Sequence, residues 1–322
     1  MIEKKKKFIG CIIGTGTGDA LGEPVEGCTR IYIENYNVDI PKLYLGRYTD
    51  DTQLTIAIAE SLIRAKGYNP NDLSKRFIDW LDEPPIGPGR GCLTSIHRLR
   101  NGVHWSESGS DSGANGCAMR VSPIGLFYHT DIEMLIKAAK ESSLITHLHW
   151  AAICSGIVVA RAVAYLVSNN VLDTDDMINT VADSINQKEN KEFYDNLLKL
   201  KNYLELPYKE ALMELGLIGV KPPFFDQRMV GIGLIHPYAM STVLSALYCF
   251  LKTPEDFKTS VIEAITGGGD TDTVGAICGA FSGTWNGIDN IPQTWVERLI
   301  DNEKILSIGE KLWDTFLECQ KR

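Results

Sequence analysis

The chain has 322 residues, 44% of them hydrophobic and 23% charged, so it has enough apolar material for a sizeable core. Its 41 acidic and 32 basic residues give a formal net charge of −9. This charge argues against nucleic acid as a partner, because binding to a phosphate backbone needs a concentrated positive surface. The eight cysteines form no C-x-x-C pair, so we expect reduced core residues and, without a signal peptide, a cytoplasmic location.

The lysine run at residues 4–7 is the one basic cluster at the start of the chain. No amphipathic aromatic stripe accompanies it, so we expect a solvated N-terminal tail and no membrane surface.

Helical periodicity then dominates the pattern. Apolar residues after Thr49 recur every three or four positions, which predicts a helix that Gly67 would end. Pro70 suits the first turn of the next helix. Thr130 with Glu133 matches a capping box and predicts a third helix start.

Further helix signals follow towards the C-terminus. Residues 253–256, Thr-Pro-Glu-Asp, predict another helix start. The most apolar stretch, residues 151–167, carries Arg161 and is shorter than the ~20 residues of a membrane span, so we expect a buried helix. Strand-like alternation is confined to short pieces such as residues 30–33. The predicted fold class is therefore all-α, as one compact domain over residues 1–322, and we expect a monomer.

Four loops are rich in Gly, Pro, Ser and Asn. Long irregular loops in compact domains are uncommon and often functional, so these are candidate site segments. They are residues 22–27, 83–91, 102–116 and 221–233.

Two runs of threonine and aspartate lie where predicted helices begin, Thr-Asp-Asp-Thr at residues 49–52 and Asp-Thr-Asp-Thr at residues 270–273. Either run alone would suit a helix N-terminus, where unpaired N–H groups and the positive end of the dipole favour such side chains. Two runs in one chain favour a second interpretation. Carboxylates aimed at one place repel one another unless divalent cations such as Mg²⁺ or Mn²⁺ lie between them, so we hypothesise a two-metal hydrolytic site.

Two further polar segments are candidate parts of the same site as the two threonine–aspartate runs. Residues 18–27, GDALGEPVEG, end a helix and enter a glycine-flanked turn that carries Glu26. Residues 112–120, SGANGCAMR, contain small residues that let the backbone approach a ligand closely.

With these segments, Thr146-His147 and GGGDTDT at residues 267–273, the chain resembles the ADP-ribosylglycohydrolase family. The resemblance runs from about Phe8 to about Trp285, with every motif in the family's order. It implies an all-helical domain with a binuclear Mg²⁺ or Mn²⁺ centre at the base of a cleft. The implied activity is metal-dependent removal of ADP-ribose from a modified protein or a small adduct.

The resemblance also implies residue roles. The implied metal ligands are Thr49, Asp50, Asp51, Asp270, Asp272 and Thr273. Glu26 is the implied catalytic residue, acting on water or on the positive charge developing on the sugar, and Asp51 is expected to serve catalysis as well as ligation. The implied substrate contacts are Ser112, Asn115, Gly116, Met119 and His147. Asp19 is expected to orient its neighbours.

Two positions depart from the family pattern. Ala114 stands where relatives usually have glycine, and Ser112 stands nearest to the place of an aspartate. Both changes concern the identity of the acceptor more than the ligands of the metal centre. The GDALG and TDDT forms are similar to the arginine-directed branch, so the expected bond is the N-glycosidic bond to protein arginine. Serine-linked ADP-ribose or O-acetyl-ADP-ribose stays open, as does a member that binds ADP-ribose without turnover.

Further residues also have expected roles. Arg120 is expected to form a structural salt bridge, with pyrophosphate contact as the alternative. Phe224 and Phe225 are expected in the core, with stacking on adenine as the alternative. His149 is expected to cap or pack a helix start. The glycines of residues 14–18 are expected to permit close helix packing.

Overall fold

The computed structural model describes residues 2–321. Within that range the chain forms helices and four isolated β-bridges, with no strands. The helices are α1 (Lys4–Gly22), α2 (Arg30–Asn35), α3 (Ile40–Leu43), α4 (Asp50–Ala65), α5 (Pro70–Trp80), α6 (Arg90–Arg100), α7 (Ser122–Phe127), α8 (Ile132–Leu144), α9 (Trp150–Ser168), α10 (Thr174–Ala182), α11 (Lys191–Tyr203), α12 (Tyr208–Leu215), α13 (Ala239–Lys252), α14 (Phe257–Thr266), α15 (Thr271–Asn286), α16 (Gln293–Arg298) and α17 (Asn302–Gln320). The all-α prediction is confirmed.

Two predicted helix starts are confirmed by their capping contacts. Thr49 is the N-cap of α4, and its hydroxyl accepts a hydrogen bond from the backbone N–H of Asp51. Pro70 is the first residue of α5. At the end of α4, Lys66 adopts the left-handed conformation with φ 52°, and Gly67 follows it. The helix therefore ends where the sequence predicts, but its left-handed residue is a lysine.

Two other predicted starts are displaced, by one residue at Thr130 and by three residues at Thr253. Asp131, not Thr130, caps α8, and its carboxylate accepts from the N–H of Met134 at 3.1 Å. Asp256 caps α14, whereas Thr253 ends α13. In both cases a nearby aspartate competes for the cap, and a carboxylate is the stronger acceptor at the positive helix end. Residues 30–33 are also helical, as the start of α2.

The lysine run is not a solvated tail, because it forms the first turn of α1. Lys7 is buried, and its ammonium donates to the carbonyl oxygens of Leu166 at 2.7 Å and Asn169 at 2.6 Å. These carbonyls end α9, where backbone acceptors lack helical partners and the dipole favours a cation. Burial lowers the pKa of Lys7 to about 8. Lys7 therefore joins α1 to the end of α9.

Helices α1 and α15 pack backbone to backbone in antiparallel register. A Cβ atom added to Gly18 would lie 2.0 Å from the carbonyl oxygen of Gly275, and one added to Gly14 would lie 2.2 Å from that of Gly279. Only glycine permits this approach. The prediction of close packing is confirmed, and its consequence is that the end of α1 lies beside the start of α15.

A single cluster of buried apolar side chains joins the helices into one core. Helix α9 is at its centre; by length and composition it passes as a membrane span, but 83% of its apolar window is buried inside the protein. That burial is typical of a core helix and confirms the prediction for residues 151–167. The described cysteines are all free, and six of the eight are buried.

Candidate active site

The last polar residue of α1 fixes the start of α4. The buried carboxylate of Asp19 accepts from the backbone N–H of Thr49 and of Thr52, each at 3.0 Å. It also accepts from both threonine hydroxyls. Because α1 is packed against α15, these bonds place the Asp50-Asp51 pair next to the start of α15. The expectation that Asp19 orients its neighbours is consistent with this geometry.

The loop that carries Glu26 is joined to the loop before α15. The N–H of Gly27 donates to the carbonyl of Gly269 at 2.8 Å, and the N–H of Gly269 donates to the carbonyl of Cys28 at 2.7 Å. Gly269 has φ 80°, and a Cβ atom there would lie 2.2 Å from the carbonyl oxygen of Ile235. The glycine run is thus needed to bring Glu26 and Asp270 together.

Glu26, Asp270 and Asp272 form a compact acidic cluster. Each offers an oxygen, and these oxygens all lie within 4.8 Å of one another. Asp51 lies beside them, because its Oδ2 faces the hydroxyl of Thr273 at 3.4 Å. The carboxylates of α4 and α15 therefore converge, although more than two hundred residues separate them in the chain.

Burial and like charge make this cluster hard to ionise. Burial, together with the charges of Asp19 and Asp270, raises the pKa of Asp50 to about 7. Burial and neighbouring carboxylates hold the pKa values of Asp51 and Asp272 well above their usual range. Burial also raises the pKa of Glu26, with Asp270 adding to the effect. Such a group of carboxylates ionises fully only with positive charge among them.

A cavity of about 340 Å³ opens over the cluster. It is lined by every predicted site residue except Thr49, namely Glu26, Asp50, Asp51, Ser112, Asn115, Gly116, Met119, His147, Asp270, Asp272 and Thr273. The hydroxyl of Thr49 donates to the carboxylate of Asp19 and accepts from the backbone N–H of Asp51. Thr49 therefore lies outside the cavity lining, as a support for the residues that form it.

The side chain of Asn115 holds the cluster in place. Its amide nitrogen donates to the carboxylate of Asp270 and to the hydroxyl of Thr242. Both amide hydrogens are thereby engaged. Asn115 lines the cavity, but its donors position Asp270 and are not free for a ligand.

Arg120 does not form the predicted salt bridge. It is buried behind the cavity, and its partners within the described chain are uncharged: the hydroxyl of Thr146, the carbonyl of Ser142 and the sulfur of Cys92. Its guanidinium also lies 4.9 Å from the ring centre of Phe77. The charge of the guanidinium is stabilised by these uncharged acceptors and by the face of the aromatic ring. No local sequence pattern reveals this arrangement.

A second cavity of about 660 Å³ adjoins the first, and the two share Ser112, Ala114 and Pro237. Its lining includes three aromatic residues, Trp150, Phe224 and Tyr238, and we call it the aromatic cavity. The first expectation for Phe224, core packing, is wrong, because 70% of this residue is exposed.

Phe225 and His149 lie near or in the wall of this second cavity. Phe225 is partly buried. His149 caps α9 as expected, accepting from the N–H of Ala151 at 3.2 Å, and its ring also lines the second cavity.

Several residues that line the cavity over the carboxylates, which we call the acidic cavity, had no predicted role in the site. These residues are Arg90 at the start of α6, Cys92 two residues later, and Pro237. The glycine-rich loop at residues 83–91 was predicted to be a candidate site segment, but no motif within it pointed to Arg90. Pro237 is remote from every motif and reaches the site only through the fold.

These features define an all-helical protein with a cavity whose carboxylates suit divalent cations. The model of the ADP-ribosylglycohydrolase family matches residues 2–321. An uncharacterized protein of Archaeoglobus fulgidus is 32% identical over 98% of this chain and 99% of its own length. The chain belongs to the ADP-ribosylglycohydrolase family, which confirms the resemblance.

Two relatives with named activities are more distant. ADP-ribosylhydrolase ARH3 of Mus musculus is 26% identical over 97% of this chain and 92% of its own length. ADP-ribosyl-[dinitrogen reductase] glycohydrolase of Rhodospirillum rubrum is 25% identical over 91% of this chain and 90% of its own length. A solved structure, described as an ADP-ribosylglycohydrolase-related protein complex, aligns with a TM-score of 0.73 at 23% identity, covering 98% and 99% of the two chains. That last likeness concerns the fold.

Proposed function

We propose that the acidic cavity binds two divalent cations, Mg²⁺ or Mn²⁺. Asp51 supports this proposal most directly, since its buried Oδ1 has no hydrogen-bond partner among the described residues. An unpaired buried carboxylate oxygen is costly unless a cation is bound to it. The proposed ligands are Asp50, Asp51, Asp270, Asp272 and Thr273. Cations bound there would neutralise the carboxylates and act as Lewis acids on sugar oxygens.

We propose further that the chain hydrolyses the glycosidic bond that joins ADP-ribose to an acceptor. The observation that carries this proposal is the continuity of the two cavities across Ser112, Ala114 and Pro237. ADP-ribose has a sugar diol at one end and adenine at the other. The acidic cavity suits the diol, and the aromatic cavity offers a face for the base at Phe224.

Glu26 is the proposed catalytic carboxylate. It lies at the end of a short 3₁₀ helix (Glu23–Val25) and is more exposed than Asp272. Its carboxylate is therefore close enough to the cluster to face a bound sugar and open enough to meet water. Its raised pKa brings it nearer to the range in which a carboxylate works as a general base. Asp51 is proposed to support catalysis from the opposite helix.

For the acceptor, the first candidate is the arginine guanidinium. Five carboxylates line the cavity, and two divalent cations would supply four positive charges, so the carboxylates alone exceed the cations by one negative charge, which favours a cationic acceptor. The second candidate is an O-linked acceptor, such as serine or the acetyl ester. Arg90 favours it, because this exposed side chain lines the same cavity and would repel a second guanidinium.

The test is release of free ADP-ribose from arginine-linked, serine-linked and O-acetyl adducts, each with Mg²⁺ or Mn²⁺ and with a chelator. We expect turnover of at least one adduct that is lost with the chelator. Faster turnover of the arginine adduct would select the first acceptor, and the reverse would select the second. Binding of ADP-ribose without release from any adduct would contradict the enzyme and favour a binding protein.

Glu26→Gln tests the catalytic assignment. It keeps the shape of the side chain, so we expect ADP-ribose to bind while turnover falls by roughly 10²–10⁴-fold. Glu23→Gln, three residues earlier and outside the cavity lining, is the matched control. Full turnover by Glu26→Gln would remove Glu26 from the mechanism.

A further inference from the structure

A chain of three buried side chains leads from the interior to the acidic cavity. Arg120 donates from its Nη2 to the hydroxyl oxygen of Thr146. That hydroxyl lies 2.8 Å from Nδ1 of His147. Arg120, Thr146 and His147 are each at most 2% exposed, so water does not compete for these contacts.

The direction of these hydrogen bonds follows from the chemistry of the groups. A guanidinium only donates, so the Thr146 oxygen must accept from Arg120, and the hydroxyl proton must point elsewhere. The neighbours left for that proton are Nδ1 of His147 and the thiol of Cys117, which itself points to the carbonyl of Ser143. An imidazole nitrogen is a far stronger acceptor than a thiol sulfur. Nδ1 therefore accepts, and the ring proton belongs on Nε2.

The other edge of the ring faces the cavity. His147 lines it, and a Cβ atom added to the neighbouring cavity residue Gly116 would lie 2.8 Å from Cε1 and 3.4 Å from Nε2. The backbone N–H of His147 donates to the carbonyl of Ser143 at 2.8 Å, and this bond holds the backbone from which the ring extends. Within residues 2–321, the only hydrogen bond that the ring forms is the one at Nδ1.

We propose that Arg120 is a positioning residue that acts through Thr146 to hold His147 as the Nε2–H tautomer, so that the ring presents a donor to an oxygen of ADP-ribose. This inference rests on the proposed function for the identity of the ligand. The opposite tautomer would present a lone pair to hydroxyl and phosphate oxygens and would repel the latter. The relay thus makes His147 a fixed, neutral donor in a cavity whose other groups are mostly acceptors.

The charge state of the ring agrees with this role. Burial lowers the pKa of His147 to about 3, and the charges of Arg120 and His149 act in the same direction. The imidazole therefore stays neutral over the working pH range, and the position of its single proton decides what it offers to a ligand.

The test is ring-nitrogen NMR on the full chain labelled with ¹⁵N-histidine, in which His147→Gln identifies the His147 signals. We expect an Nε2–H pattern for His147 that is constant between about pH 5 and 8, since the ring is neutral throughout. Thr146→Val removes the hydroxyl and keeps the side-chain shape, and we expect the Nδ1–H form to appear. Thr146→Ser restores a hydroxyl and should restore the original pattern.

Calorimetry with ADP-ribose gives the second readout. We expect Thr146→Val to weaken binding about tenfold, as loss of one well-aligned donor to a charged ligand would. Thr146→Ser should bind like the parent chain. An Nδ1–H pattern in the parent chain overturns the inference even if Thr146→Val does not fold. A folded Thr146→Val with unchanged pattern and affinity overturns it too.

The two readouts separate this inference from the proposed function. A parent chain with the Nε2–H pattern that does not bind ADP-ribose contradicts the proposed function while the relay stands. A parent chain that binds and hydrolyses ADP-ribose adducts with the Nδ1–H pattern contradicts the relay alone.

Discussion

Asp19 accepts hydrogen bonds from both the backbone N–H and the side-chain hydroxyl of Thr49, each at 3.0 Å. A carboxylate at the end of α1 thereby holds the N-cap of α4, and the next two residues of α4 line the acidic cavity. The position of the proposed metal ligands in α4 thus depends on a residue that does not line the cavity.

Asp19→Asn should weaken the binding of Mn²⁺ by about 10–100-fold, as changes in groups that orient metal ligands do. The amide keeps the shape but cannot accept at both atoms, so the hydrogen bonds from Thr49 and Thr52 cannot all be kept. Titration calorimetry with Mn²⁺ measures the effect, and the exposed Asp314→Asn is the control. Unchanged Mn²⁺ affinity in a folded Asp19→Asn would mean that Thr49 holds its position without Asp19.

Gly18→Ala should destabilise the fold and impair the site together. The added methyl group would lie 2.0 Å from the carbonyl oxygen of Gly275, so α1 and α15 must separate. Overpacking of this kind costs roughly 1–3 kcal/mol of unfolding free energy. Gly16→Ala is the matched control in the same helix, because its methyl group would meet the flexible end of Leu299 at 3.2 Å.

Thermal unfolding and Mn²⁺ titration measure both effects of this pair. We expect a clear fall in melting temperature and Mn²⁺ affinity for Gly18→Ala and near-parental values for Gly16→Ala. Equal behaviour of the two variants would contradict the close helix contact.

The stability of the metal-free protein should fall as pH rises. The pKa of Asp50 is raised to about 7, and those of Asp51 and Asp272 lie well above their usual range, because of burial and like charge. In the unfolded chain the pKa of these groups is about 3.9. Between those values the folded state binds more protons, so this stabilisation is present at acid pH and is lost as pH rises through the folded pKa values.

Divalent cations should replace the protons and reverse this loss. We expect Mg²⁺ to raise the melting temperature, relative to protein in chelator, by more at pH 8 than at pH 5. Asp272→Asn should reduce the difference between the two increments, because it removes one of the titrating ligands. Equal increments at both pH values would argue against cation binding by these carboxylates.

Phe224→Ala should weaken ADP-ribose binding without a cost in stability, since the residue is 70% exposed. Stacking of a base on an aromatic ring is worth ~1–3 kcal/mol, so we expect a dissociation constant about 5–100-fold higher. Binding of ribose 5-phosphate, which has no base, should be unchanged. Val230→Ala, exposed in the same loop and outside both cavity linings, is the control. Equal weakening of both ligands would place the base elsewhere.

Local chemistry made part of this structure predictable. The starts of α4 and α5 followed from Thr49 and Pro70, because caps and first-turn prolines act within a few residues. The same rules failed by a few residues at Thr130 and Thr253, because an aspartate close by in the sequence was the better acceptor. Helix periodicity was strong enough to give the all-α class.

The parts that sequence reasoning missed depend on contacts between distant segments. Lys7 is buried because the carbonyl oxygens at the end of α9 accept its hydrogen bonds. Arg120 has uncharged partners because Ser142 of α8 and Thr146 lie next to its guanidinium. The aromatic cavity combines Trp150, Phe224 and Tyr238 from three separate segments. No spacing rule links such residues before the fold is known.

The most direct test of the proposed two-cation site is an anomalous difference map from crystals of the protein grown with Mn²⁺ and ADP-ribose. We predict two manganese peaks in the acidic cavity, in contact with carboxylate oxygens from both α4 and α15, including Asp51 and Asp272. The contrary result would be a protein that hydrolyses an ADP-ribose adduct but whose crystals, saturated with Mn²⁺, show no manganese peak between α4 and α15. That result would contradict the proposed two-cation site.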